Sequence, residues 1–227
     1  YLVQHYRLQL GSQAARLAEY LSKTYVPALA KAQTPALVLD AQLSEHLPLV
    51  TVITAHASAE QAWNVQTRLT ADKAFETATD AWQSGPEPPY QSLTTELLEA
   101  ADFSPEFAPA NPQPKTPRVF ELRIYQTHTL KELRGLRGRF AEGEARILAR
   151  AGAQLVLFAT SAIGGDHPNL TWMMAFEDML AREKFSAAFN ADPDWIKLRQ
   201  QSLERYGQIP SFRRLTLYRA AAYSPIR

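Results

Sequence analysis

Apolar and polar positions alternate with period two from Arg118 to Gln126. Val119, Phe120, Leu122 and Ile124 mix there with Glu121, Arg123 and Tyr125. That alternation predicts a strand. From Thr129 to Ala151 the period changes. Leu133, Leu136, Phe140, Ile147 and Leu148 fall on one helical stripe, and Gly152 marks its C-terminal end. The same order opens the chain. Tyr1 to Leu8 reads as a strand and Ser12 to Ala32 as a helix. Its stripe of Ala14, Leu17, Leu21, Ala28 and Leu29 matches the later one at an offset of 119 residues. Pro27 lies in that stripe and should kink or end its last turn. The strand residues agree: Tyr1 falls on Phe120, Val3 on Leu122, Gln4 on Arg123 and Tyr6 on Tyr125.

The remaining elements repeat as well. Residues 36–43 and 49–56 read as strands in the first half, and 153–162 and 170–176 in the second. A split helix follows in each, started by Ser58 and Asp178 and restarted by the N-caps Asp72 and Asp192. Residues 90–99 and 211–221 close the halves as strands. Gly164 and Gly165 precede a strand without Gly-Lys-Ser/Thr, so they read as a hairpin turn and not a phosphate loop. Each half is thus a β-α-β-β-α-β unit. The expected fold is α+β: two tandem ferredoxin-like repeats packed sheet to sheet as an α+β barrel, because each sheet has one face its own helices leave bare. The expected domains are residues 1–100, a linker 101–117 and residues 118–227. Five prolines in those seventeen linker residues predict an extended connector with no helix or ladder of its own.

Composition narrows the function classes. The 227 residues are 46% hydrophobic with a formal net charge of +1, so no nucleic-acid footprint is present. The absence of Cys excludes disulfides, thiolate metal sites and cysteine nucleophiles. No apolar run reaches the roughly 18 residues of a membrane span. The chain opens at Tyr1 and not Met, which fits an exported protein whose signal has been removed or a sequence trimmed at the front.

The second half resembles the NIPSNAP family. The likeness rests on Phe120 to Tyr125 (FELRIY), Gly152 after the long helix, Gly164 to Asn169, Ala181-Arg182-Glu183, and Asp192-Pro-Asp-Trp195. The first half is similar but weaker: Leu2 and Gln4 replace Glu121 and Arg123, Gln33 replaces Gly152, and Phe75 replaces Trp195. The resemblance implies the dimeric α+β barrel shared with small haem-degrading and antibiotic-biosynthesis monooxygenases. It implies no agreed enzymatic activity. Bacterial two-repeat members, some of which look exported, have a similar layout, and eukaryotic members are discussed as mitochondrial interaction proteins.

The candidate chemistry sits on the strand 118–126. If Phe120, Leu122 and Ile124 face the helices, Glu121, Arg123 and Tyr125 face the barrel interior. A buried charge must be paired or bound. Two readings stand: a structural Glu121–Arg123 pair, or an anion held by Arg123 as a bidentate fork. Gln4 and Tyr6 would form the opposite wall, Trp172 or its neighbour Met173 would point inward, and His128 would lie at a mouth. Arg182 and Glu183 read as a helix-surface salt bridge. His5 and His56, on neighbouring strands, could approach each other, but they match the apolar positions Ile124 and Phe176. No histidine spacing suits a metal, and no Gly-x-Ser-x-Gly or HExxH occurs. Catalytic residues, metal and cofactor are therefore unassigned. The leading expectation is a barrel that binds a small anionic or amphipathic molecule. A non-catalytic interaction protein is the alternative, as is a cofactor-free monooxygenase-like enzyme by fold analogy. Homo-oligomerisation is left open.

Overall fold

The computed structural model describes residues 1–227. Its residues cluster into two compact units. Unit 1 holds 1–97, 108–113 and 218–227, and unit 2 holds 98–107 and 114–217. Eight strands hydrogen-bond into a closed barrel in the order β1-β3-β2-β8-β5-β7-β6-β4, which is the expected α+β class.

Unit 1 begins with β1 (Leu2–Arg7) and α1 (Gln13–Tyr20). A π-helical turn, Leu21–Tyr25, carries the helix into α2 (Val26–Lys31). Strands β2 (Ala36–Leu43) and β3 (Leu49–Thr54), helices α3 (Ala59–Ala71) and α4 (Lys73–Gln83), and β4 (Ser92–Ala100) follow. Unit 2 repeats the order. It has β5 (Val119–Gln126), α5 (Leu130–Arg139), the π turn Phe140–Glu144 and α6 (Ala145–Arg150). Then come β6 (Gln154–Ile163), β7 (Asn169–Phe176), α7 (Met179–Ala191), α8 (Pro193–Tyr206) and β8 (Phe212–Ala220). The chain leaves unit 1 within β4, touches it again at 108–113 and returns to it within β8.

The caps form where the sequence placed them. Asp72 Oδ1 accepts from the N–H groups of Ala74 and Phe75, and Asp192 Oδ1 from those of Asp194 and Trp195. Thr129 Oγ1 accepts from Glu132 N–H at 3.1 Å, and Glu132 Oε2 reaches back to His128 N–H at 2.7 Å. Thr129→Ala should therefore lower stability by about 1 kcal/mol in urea unfolding, with the slope unchanged. No loss at all would mean that water replaces the cap. Gly152 ends the long helix at φ +110°, and Gln33, its counterpart, holds a left-handed φ of +52°. The same turn is thus made without glycine in unit 1, at a backbone cost of about 1–2 kcal/mol.

The helix does not end at Pro27 but runs on to Lys31. The π turn explains this. Val26 N–H reaches Leu21 O five residues back, so the ladder has already shifted before Pro27, which has no N–H. Unit 2 makes the same turn with no proline, from Ala145 N–H to Phe140 O. The turn therefore belongs to the fold and not to Pro27.

Residues 101–117 carry neither helix nor strand. They are nonetheless anchored. Ala101 N–H donates to Phe158 O at 2.8 Å, Phe158 N–H donates to Ser104 Oγ at 3.0 Å, and Phe103 packs on Phe158 with ring centroids 5.2 Å apart.

Candidate functional site

The register of unit 2 decides which face of β5 meets the helices. Arg123 pairs with Trp172, Glu121 with Met174 and Tyr125 with Leu170. Directly paired residues share a face. Tyr125, Leu170, Trp172 and Met174 pack with Leu136 and Phe140 of the long helix and Phe185 of α7. Glu121, Arg123 and Tyr125 therefore face unit 2's own helices. This reverses the expectation that they point to the sheet's other side. That side carries Phe120 and Leu122, both buried. Apolar residues fill both faces, so alternation alone could not tell which one the helices cover.

Glu121 is 1% exposed at its side chain and holds two arginines. Oε1 accepts from Arg123 Nε at 2.5 Å, and Oε2 accepts from Arg182 Nε. Arg182 is thus half of a buried contact and not a surface pair. Arg123 Nη1 also donates to Tyr125 OH at 3.0 Å, and its guanidinium lies 5.0 Å over the Trp172 ring. Burial works against the charge of Arg123, but Tyr125 and Glu121 outweigh it and hold the guanidinium protonated.

A second buried pair lies beside the first. Arg139 Nε donates to Glu144 Oε2 at 2.6 Å, Arg139 Nη1 reaches Ser202 Oγ at 3.5 Å, and the Arg139 guanidinium lies 5.5 Å from the Trp195 ring. Residues five apart stand about 140° apart around an ordinary α-helix. The π turn 140–144 closes that angle and sets the two side chains together. Burial pushes the Glu144 carboxyl above its usual range, and Arg139, then Arg123 and Arg213, pull against it.

Between these pairs lies a cavity of about 350 Å³. Arg123, Tyr125 and Trp172 line it from the sheet. Glu144 and Arg139 come from the long helix, Phe185 and Phe189 from α7, Trp195 and Arg199 from α8, and Arg213 from β8. Arg213 lies 5.5 Å over the Tyr125 ring. Four arginines against one lining carboxylate give a basic chamber with aromatic walls. Trp172 is 1% exposed, and its indole Nε1 has no hydrogen-bond partner.

The structure brings Glu121, Arg123, Tyr125 and Trp172 together. The other candidates lie elsewhere. Gln4 accepts from Tyr25 OH at 2.9 Å inside unit 1. Tyr6 is buried in the same unit beside Tyr90 and Trp82. His128 is exposed, and only its backbone is engaged, in the cap of α5. His5 lies opposite Thr51 on β3, and its Nδ1 sits 2.9 Å from Thr51 Oγ1. His56 lies past the end of β3 on Thr54 Oγ1, so the two histidines do not meet. Arg139 and Glu144 were missed. Their signal was available: at the offset of 119 they replace Tyr20 and Tyr25, which are buried in unit 1.

No helix is long and apolar enough to cross a membrane. No curated protein sequence is a significant match. Among solved structures, a candidate monooxygenase from Lactobacillus acidophilus NCFM superposes with a TM-score of 0.60 at 6% identity, over 96% of this chain and 91% of the other. A candidate monooxygenase from Fusobacterium nucleatum gives 0.57 at 12% identity, over 96% and 90%. At such identity the likeness shows the fold alone. A NIPSNAP family protein with unknown function from Agrobacterium tumefaciens str. C58 is 21% identical over 48% of this chain and 94% of its own, with a TM-score of 0.42. The NIPSNAP family model matches residues 120–225. The chain carries a NIPSNAP domain over residues 120–225, and every residue that lines the cavity falls within it.

Proposed function

We propose that unit 2 binds a small anionic, aromatic molecule in the cavity beneath α7 and α8. The observation that carries this is the excess of arginine over carboxylate around an aromatic chamber. Of the lining residues, Arg123, Arg139, Arg199 and Arg213 face the single carboxylate Glu144, and Glu121 behind them is shared between Arg123 and Arg182. Glu121 is shared by two guanidiniums, so neither has a carboxylate to itself. A volume of about 350 Å³ suits a ligand of one or two rings. Arg123 is paired within the protein, as an interaction protein with a filled core would require. The open chamber beside it favours a ligand. Unit 1 supports the contrast: the positions of Arg139 and Glu144 hold Tyr20 and Tyr25, with ring centroids 6.4 Å apart and nearly parallel.

The fold is shared with proteins described as monooxygenases, but one fold serves unrelated chemistries. The reading is therefore binding, with no reaction assigned. It is tested by titrating the chain with 2-naphthoate, benzoate and inorganic phosphate, following melting temperature and heat. The aryl carboxylates should raise the melting temperature. Arg213→Met, at an exposed position, should weaken 2-naphthoate binding roughly ten-fold while leaving the unliganded melting temperature unchanged. If no anion stabilises the protein, the reading fails.

A further inference from the structure

We infer that the cavity selects aromatic acids that also carry a hydroxyl, with Glu144 Oε1 as the acceptor of that hydroxyl's proton in a hydrogen bond. This rests on the binding reading above and names the ligand class more narrowly.

Glu144 presents the chamber with an acceptor that the protein leaves open. Glu144 lines the cavity and is 3% exposed. Its Oε2 is held by Arg139, and its Oε1 receives no hydrogen bond from the protein. A carboxylate offers about four acceptor sites, and buried polar groups are almost always satisfied. Unit 1 shows the filled alternative. Tyr25 occupies the matching position, and its OH is engaged with both Gln4 and Gln66. At this position unit 2 instead keeps a carboxylate oxygen facing a chamber.

The surroundings restrict the donor. Arg123, Arg139, Arg199 and Arg213 line the same space, so an ammonium would enter against a positive field. A neutral O–H does not meet that barrier. The walls are Tyr125, Trp172, Phe185 and Trp195, which suit a flat ring between a carboxylate end and a hydroxyl end. A hydroxyaryl acid offers an O–H that can donate to Glu144 Oε1 and a carboxylate that can accept from the lining arginines. A site built around a hydrogen bond to a hydroxyl discriminates strongly against the analogue without it, because the buried acceptor is then left unpaired.

The test compares 2-naphthoate with its 3-, 6- and 7-hydroxy isomers by calorimetry on the full chain. At least one isomer should bind on the order of ten-fold tighter than 2-naphthoate, the scale of a hydrogen bond to a charged acceptor. In the double variant Arg139→Met/Glu144→Met that preference should vanish, and 2-naphthoate itself should bind more weakly because a lining arginine is lost. If the double variant does not fold, Glu144→Gln should narrow the gap, because a neutral amide accepts more weakly than a carboxylate. Equal affinity of all four acids for the unmodified chain would overturn the inference and leave the binding reading intact. A preference that survives both variants would overturn it too. Failure of 2-naphthoate itself to bind would remove the binding reading and this one with it.

Discussion

Glu144→Met should lower the unfolding free energy by about 3–5 kcal/mol, and adding Arg139→Met should restore most of that loss. Both side chains are almost fully buried, at 4% and 8% exposure. Removing the carboxylate alone strands a guanidinium that cannot shed its proton. Its remaining partners are a long contact to Ser202 Oγ at 3.5 Å and the faces of Trp195 and Phe140. None of these carries a negative charge. Replacing both members by methionine removes the need for the charge and fills similar volume. Unit 1 provides an internal precedent, since its helix holds aromatic Tyr20 and Tyr25 at these places. Urea unfolding of the two single variants and the double one would decide it. If the double variant is as damaged as the worse single one, the pair is not the unit that matters.

The neighbouring group behaves differently, and the structure says why. A simple Glu121–Arg123 pair would lose heavily if Arg123 were removed. Glu121 keeps Arg182 on Oε2, however, and both arginines retain about a fifth of their side-chain surface. Arg123→Met leaves the carboxylate with a partner. The loss should therefore be smaller than for Glu144→Met.

The elements, their order and the capping residues were legible because each has a local cause. Period-two alternation marks β5, the stripe of Leu133, Leu136 and Phe140 marks the long helix, and Asp72 and Asp192 mark the breaks between paired helices. The repeat offset added the fold class. What the sequence could not show was the orientation of β5. Phe120 and Leu122 are as deeply buried as Tyr125, so burial does not distinguish the faces. The partner that fixes the outcome, Arg182, is 61 residues from Glu121 in sequence. The π turn was hidden for a related reason. Nothing in Phe140–Glu144 announces a hydrogen-bond shift, and without it Arg139 and Glu144 read as unrelated charges on an exposed helix face. Only the comparison with Tyr20 and Tyr25, at the same offset, exposes them as charges in core positions.

Trp172 joins the two halves of the site, and its removal should show it. Trp172→Ala should cost about 3–5 kcal/mol. The side chain is 1% exposed, and three rings surround it: Phe140 at 5.1 Å and Tyr125 at 5.5 Å, both edge to face, and Phe158 stacked at 6.0 Å. These contacts tie β7 to β5, to β6 and to the long helix at once, so no single neighbour can close the gap. Arg123 would also lose the ring it lies over, a contact worth about 0.5–2 kcal/mol depending on solvation. Trp172→Phe separates packing from chemistry. It keeps an aromatic plane and removes an indole N–H that has no partner in the unliganded protein. The void left by the smaller ring costs stability, while loss of an unsatisfied buried donor returns some of it. The net change should stay below about 1.5 kcal/mol, in the range of volume-tolerant core swaps. If Trp172→Phe proves as unstable as Trp172→Ala, the indole contributes more to the fold than its ring packing explains.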